Sequence, residues 1–488
     1  DGMTALHWAA YNGDLELAKR LLAARARVDR YTRLEKVTPL LLASRTGQAT
    51  LMALLLDAGA SAHEPDALGA TPLMLAAGSG SVDAVRLLLD RGAEPNVAEP
   101  VRGQTALMFA AANNRVEVVK LLTSRGAAVN ALGTVTSIGK PQMDEDGNPI
   151  PSKATNSRTG SGTIAGIAAT AAKVMGGLSA LHYAARDGHA EVAKALLAAG
   201  ADVNLGTAGD DSTPIVIAIS NGHYDLAMYL LEKGADPNHI NNDGLAALYA
   251  AIDTQWQPAT ATPRPIVTEE RTTHLQLMKA LLDRGAEPNA RLRRKLWFSP
   301  LHANSMWVQP GGATPFWRAA QATDIEAMKL LVAHGAKVQT LSDGQDNALH
   351  MAAGIGWAGN FSVNAPDGFM PAVRYLVEEV GLDVNAVDVQ GYTPVMGAAY
   401  RGDNEMVEYL VAHGADLQAR SKNGWVTTDF ANGPSLRSSV PLSHPDTIAL
   451  LLKLGAPPLT KVDDEEILGI IRRTIPEKPK EPAKKIGG

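Results

Sequence analysis

Apolar positions along this chain fall into short paired runs with helical spacing, and the pairs recur. "TALHWAAYNGDLELAKRLL" (4–22) returns as "TPLMLAAGSGSVDAVRLLL" (71–89) and as "SALHYAARDGHAEVAKALL" (179–197). In the second run of each pair the apolar residues stand at helical intervals, as in Val192, Leu196 and Leu197, which predicts an amphipathic helix. The same helix-opening position recurs at Thr4, Thr38, Thr71, Thr105, Ser179, Thr213, Ala246, Thr314, Asn347, Thr393 and Thr427. Most of these steps are 33 or 34 residues, a period that predicts a stack of small two-helix units.

Each recurring residue has a mechanical reason. Threonine at the opening position accepts from the orphan amides of the first helix, and Pro39, Pro72, Pro214, Pro315 and Pro394 stand where no amide is needed. The small pairs Ala9-Ala10, Ala76-Ala77 and Ala184-Ala185 let a neighbouring helix approach. Gly13, Gly47, Gly80, Gly188, Gly222 and Gly402 suit a tight turn between the two helices, and nine "GA" pairs close the second helices.

This phased set, with "TALH", "TPL", "GHAEV" and "GADVN" in fixed order, resembles the ankyrin repeat over almost the whole chain. The resemblance implies an all-α solenoid of about eleven helix-turn-helix units with long inserted loops. One unit cannot bury its own apolar face, so stability is a sum over neighbours. At about 10 Å per packed helix layer, eleven units make an arc on the order of 100 Å. The resemblance also gives His7, His182 and His350 a structural task, tying the helix start to the adjacent loop.

Three steps break the period: 74 residues from Thr105, 68 from Ala246 and 46 from Asn347. The chain therefore divides into repeats one to four (1–130), an insert expected to be flexible (131–177), repeats five to eleven (178–460) with inserts near 253–272, 290–312 and 356–371, and a short C-terminal helix with a disordered tail (461–488). Loops tolerate insertion and often carry function. The later inserts could meet beside repeats seven to nine and form a lid or pocket wall.

Composition points to the same region. Nine of the thirteen tryptophans and phenylalanines lie between Trp256 and Phe369. Aromatic and arginine side chains supply binding hot spots, through large area at low entropy cost and fork-shaped donors. The candidate partner-binding set is Trp256, Arg291, Arg293, Arg294, Lys295, Trp297, Phe298, Trp307, Trp317 and Arg318. The competing reading is that the aromatics fill a small core of the loops. The residue after each histidine position should lean toward the concave side, giving an apolar stripe with Trp8, Phe109, Tyr183 and Met351 as surface candidates.

Net charge is −6 with a pI near 6.1, so nothing global invites nucleic acid, and no apolar run reaches the roughly 20 residues of a membrane span. With no cysteine, thiolate zinc sites and cysteine nucleophiles are excluded. "DEDGNP" lacks the glycine and glutamate positions of a calcium loop, and "TGSGTIAG" fits neither phosphate-loop nor dinucleotide spacing. No nucleophile elbow, "HExxH" helix or phosphate loop occurs. The expectation is a non-enzymatic scaffold without metal or cofactor, engaging a protein partner. A fixed accessory subunit of a bacterial envelope complex is the alternative, and an enzyme built into the inserts is the weaker one.

"NARLRRKLWFS", "GDNEMVEYLV" and "ANGP" are similar to stretches of long ankyrin proteins of environmental bacteria. That resemblance implies an exported, periplasmic location, with the cytoplasm as the alternative. The first unit lacks a polar cap, so a further repeat or a partner is expected to cover it.

Overall fold

A computed structural model describes residues 2–138, 173–258, 264–294, 296, 308, 310–357, 362–433 and 443–460. Its helices come in pairs. First helices run from Ala5–Asn12, Pro39–Arg45, Pro72–Ser79 and Ala106–Ala112 in repeats one to four to Pro394–Arg401 in repeat ten. Second helices run from Leu15–Ala23, Ala49–Asp57, Val82–Asp90 and Val116–Ser124 to Asn404–Ala412 and Pro445–Lys453. First helices pack on the first helices of neighbouring repeats and second helices on second helices, so the core is one continuous seam. The alanine pairs at 9–10, 76–77, 110–111 and 184–185 are almost fully buried, as close backbone approach requires.

The opening position caps as expected at Thr4, Thr38, Thr71, Ser179, Thr314 and Asn347, each accepting from an amide of the first turn. Thr105, Thr213 and Thr393 make no such bond, and in the last unit the helix Thr427–Ala431 takes Val426 as its cap, with the Asp429 carboxylate accepting from the Val426 amide. The five prolines take the first helical position.

All six turn glycines are left-handed, with φ between 69° and 91°. Repeat eight puts Thr323 there instead, at φ 55°, fully buried and with its hydroxyl unpartnered. A β-branched residue in that conformation is strained and an unmet buried hydroxyl is costly. These terms outweigh the lost methyl contact and the extra entropy of glycine. Thr323→Gly is therefore expected to stabilise by about 1 kcal/mol, read as a higher urea midpoint; an unchanged or lower midpoint contradicts this account of the turn.

A ladder of side-chain amides joins successive layers. Asn96 donates to the Gly126 carbonyl and accepts from the Ala128 amide. Asn204 does the same with Gly234 and Asp236, Asn238 with Gly285 and Glu287, Asn289 with Gly335 and Lys337, and Asn385 with Gly414 and Asp416. Asn130 reaches over the first insert in the same way, to Gly200 (3.3 Å) and Asp202 (2.9 Å). Gln104 also donates to the Tyr183 hydroxyl at 2.7 Å, and His189 bonds the Ala111 carbonyl at 3.0 Å. Repeats four and five are thus stacked as directly as any uninterrupted pair.

The solenoid is all-α as expected, and one insert adds a short ribbon to it. Within 131–177, Val135–Ile138 and Lys173–Gly176 pair as an antiparallel ribbon, Val135 opposite Gly176, before the chain passes into 139–172. Backbone amides leaving a stack must find acceptors, and two strands departing and returning together supply them to each other. The Ala-rich half of that insert and the segment 461–488 lie outside the described residues. Among the described residues no helix is long and apolar enough to cross a membrane.

Candidate partner-binding site

The histidines fix the frame on which the site is built. His7 Nε2 faces the Val37 carbonyl at 3.0 Å, while Nδ1 lies 3.2 Å from the Thr4 amide and 2.8 Å from its hydroxyl. A carbonyl only accepts and an amide only donates, so the proton sits on Nε2 and Nδ1 accepts. His182 repeats this with Ser179 and the Leu205 carbonyl, and His350 with Asn347 and the Tyr392 carbonyl. Burial pushes His182 and His350 down to about 4, against the smaller pull of their carbonyl partners. These histidines are structural, as the resemblance implied.

Beside repeats seven to nine the described parts of the inserts come together. A cavity of about 60 Å³ opens between the first helices Ala247–Gln255 and Pro315–Gln321. Its walls take Pro258 from the insert between the two helices of repeat seven, Leu292, Leu296 and Val308 from the 290–312 insert, a finger leading into repeat eight, and Val363 from the third insert. Ala365 donates to the Ala322 carbonyl (2.8 Å) and Asn364 to the Gln321 carbonyl (3.1 Å), which holds the third insert against repeat eight.

The floor of the cavity is ionic. Arg318 is 4% exposed; its Nε donates to Asp253 at 2.7 Å and Nη2 to the Trp256 carbonyl at 2.7 Å. Trp317 is also buried, donating from Nε1 to Asp346 at 2.5 Å. Trp256 is half-buried and donates to Asp324, which also takes His274 at 2.8 Å and caps the next helix through the Ala327 amide. Burial raises the Asp324 carboxyl, but the bonds from His274, Ala327 and Trp256 outweigh it and hold the group below the usual carboxylate range.

The candidate residues therefore separate. Trp317 and Arg318, expected at a partner-facing surface, are core: the inserts cover them and their polar atoms are met within the chain. Arg291, Arg293 and Arg294 are exposed on the finger. Arg291 reaches Asp343 at 3.4 Å and the Leu341 carbonyl at 3.0 Å, and Arg294 pairs with Asp243, so these two also staple adjacent fingers. The Arg293 guanidinium makes no hydrogen bond or ion pair among the described residues. Lys295, Trp297, Phe298 and Trp307 lie outside the described residues.

The stripe after the histidine position divides in the same way. Trp8 is 53% exposed and Phe109 half-buried, but Tyr183 is 8% and Met351 only 2% exposed, so the last two are corrected to core or near-core positions. From repeat seven onward this position is covered throughout, at Ala250, Arg318, Met351 and Gly397. A Cβ on Gly397 would lie 2.8 Å from the Ile355 amide nitrogen, so the start of the third insert rests directly on repeat ten. In the first six repeats the same line is only partly open, at Trp8, Leu75, Phe109 and Ile217.

Sequence reading missed Asp253, Tyr249, the His274–Asp324 pair, and Arg401, whose guanidinium lies between the Trp357 and Phe369 rings. One signal for Asp253 existed: among the first helices of repeats one to ten it is the lone acid, and Arg318 is the lone arginine in the middle of one. Among the described residues no group of three histidines, aspartates and glutamates is placed to hold a metal.

Comparison with known proteins places the whole pattern. The profile described as "Ankyrin repeats (3 copies)" matches residues 1–66, 40–132, 181–291 and 361–421, together more than half of the chain. The rat protein "Ankyrin repeat and SAM domain-containing protein 6" is 33% identical over 24% of this chain and 14% of its own length. The Caenorhabditis elegans "Ankyrin repeat and KH domain-containing protein mask-1" is 29% identical over 59% of this chain and 10% of its own. Human "Protein phosphatase 1 regulatory subunit 27" is 43% identical over 14% of this chain and 44% of its own. The chain spans less than half the length of each of these relatives.

Proposed function

The chain belongs to the ankyrin-repeat family, and from that footing we propose that it is a non-enzymatic scaffold that grips a protein partner over repeats seven to nine. The convergence of three inserted segments on one cavity, beside an exposed arginine finger, carries this reading. A rigid layered frame holds these groups in place before the partner arrives, so little ordering entropy is lost on association. Arg293 supplies a guanidinium with no partner among the described residues, Arg291 and Arg294 a fixed positive rim, and Trp256 a half-buried aromatic in the cavity wall. One relative carries the name of a phosphatase regulatory subunit, which accords with a chain that works by holding another protein.

The test is affinity capture from the native organism with the full chain, followed by mass spectrometry. Wild type is expected to retain a stoichiometric partner through a high-salt wash. Arg293→Glu is expected to weaken that capture roughly tenfold while leaving the helical circular dichroism unchanged, since its guanidinium bonds to nothing among the described residues. Equal capture by the variant removes the finger from the binding surface.

A further inference from the structure

The cavity between repeats seven and eight is lined on one side by polar groups as well as by apolar ones. Tyr249 lines it and is 3% exposed, yet its hydroxyl makes no hydrogen bond among the described residues. Arg318 commits Nε and Nη2, and Nη1 makes no hydrogen bond there. Asp253 receives Arg318 on one oxygen, and the other makes no hydrogen bond among the described residues. The Gln321 side-chain amide, also in the lining and half-buried, makes no hydrogen bond among the described residues. These atoms belong to mostly buried residues yet face the opening of the cavity, where a bound group could replace water as their partner.

The shape of the set selects the visitor. Arg318 and Asp253 already cancel each other's charge, so an added carboxylate or ammonium would bring an unbalanced charge among mostly buried residues. The open positions are donors on one side, from Tyr249 and Arg318 Nη1, and an acceptor on the other, from Asp253. Burial and the nearby Asp253 charge push the Tyr249 hydroxyl up, which keeps it a donor. A neutral group offering one acceptor and one donor on adjacent atoms satisfies both sides. A volume of about 60 Å³ holds a few waters or one short side chain, far less than a drug-sized ligand.

We propose that this cavity receives one primary carboxamide from the partner, a glutamine or asparagine side chain, with its carbonyl on Arg318 and Tyr249, its amide on Asp253, and its stem against Trp256 and Leu292. This rests on the scaffold reading above and names the anchor the partner must present.

The experiment uses the full chain labelled with ¹⁵N at tryptophan and follows the indole signals of Trp256 and Trp317, both of which donate internal hydrogen bonds beside the cavity. Propionamide is expected to shift them saturably at concentrations on the order of 1 mM. Propionate should bind roughly tenfold more weakly or worse. Tyr249→Phe, which keeps the ring and the packing, should weaken propionamide by roughly three- to tenfold. A blocked tripeptide with central glutamine that binds at least as tightly as propionamide supports the side-chain assignment; failure of the peptide where propionamide binds overturns it. The proposal also falls if propionamide produces no saturable shift, the site then holding water alone, or if propionate binds equally well. Capture of the partner is read separately, so a chain that keeps its partner but ignores propionamide loses only the cavity assignment.

Discussion

Arg318→Ala is expected to lower the unfolding free energy by about 3–5 kcal/mol, among the largest losses that a single truncation in this molecule can cause. The substitution leaves the Asp253 carboxylate, whose side chain is 13% exposed, with no cation to answer it, and it frees the Trp256 carbonyl as well. Removing both charges together behaves differently. Asp253→Leu with Arg318→Met replaces the pair by apolar groups of similar reach, and most of the loss should return, because the desolvation cost of two ions disappears with their attraction. A double-mutant cycle by urea unfolding measures this. Additive losses would show that the pair does not act as a unit. Hydrogen exchange should place the damage in repeats seven and eight, since each layer of a solenoid answers mainly to its neighbours.

The second large effect concerns pH. In the folded chain His182 and His350 are pushed down to about 4, while an unfolded histidine titrates near 6.5. Between those values the unfolded state binds protons that the native state refuses, so stability is complete above about 6.5 and is lost as pH falls toward 4. For one such histidine the loss from pH 7.5 to 5 is about 2 kcal/mol. Asp388 works in the opposite sense: burial pushes it up to about 6, so it keeps a proton that the unfolded chain releases and stability rises as pH falls through that value. The wild-type profile therefore mixes the two signs, and the clean measurement is a difference. His182→Gln should be less stable than wild type at pH 7.5, with the gap narrowing by about 2 kcal/mol at pH 5. Parallel profiles would mean that His182 is not held neutral.

The fold was legible because its instructions are local and repeated. A left-handed glycine, a proline at the first helical position and a small pair on a helix each act within a few residues, so the sequence alone exposes them. All nine "GA" glycines are left-handed, with φ from 82° to 94°. What escaped is non-local. Asp253 and Arg318 are 65 residues apart, and a period count aligns their helices without saying that they meet. Arg318 and Trp317 read as a surface pair because composition ranks them as hot-spot residues; that they are covered depends on Pro258, Leu292 and Val363, which come from three different inserts. The ribbon at 135–138 and 173–176 was illegible for a similar reason, since neither strand has a pattern of its own and each exists only as the other's partner.

That ribbon decides how the stack treats whatever chain lies between its strands. Val135 and Gly176 stand opposite each other, so the backbone departs from and rejoins the array at one point, and Asn130 already binds the following layer beneath it. Closure entropy grows only logarithmically with the length enclosed, about 0.6 kcal/mol for each doubling. The gap between repeats four and five is thus a grafting port: sequence there can lengthen, shorten or be exchanged for a foreign module while the layers on either side keep their registry.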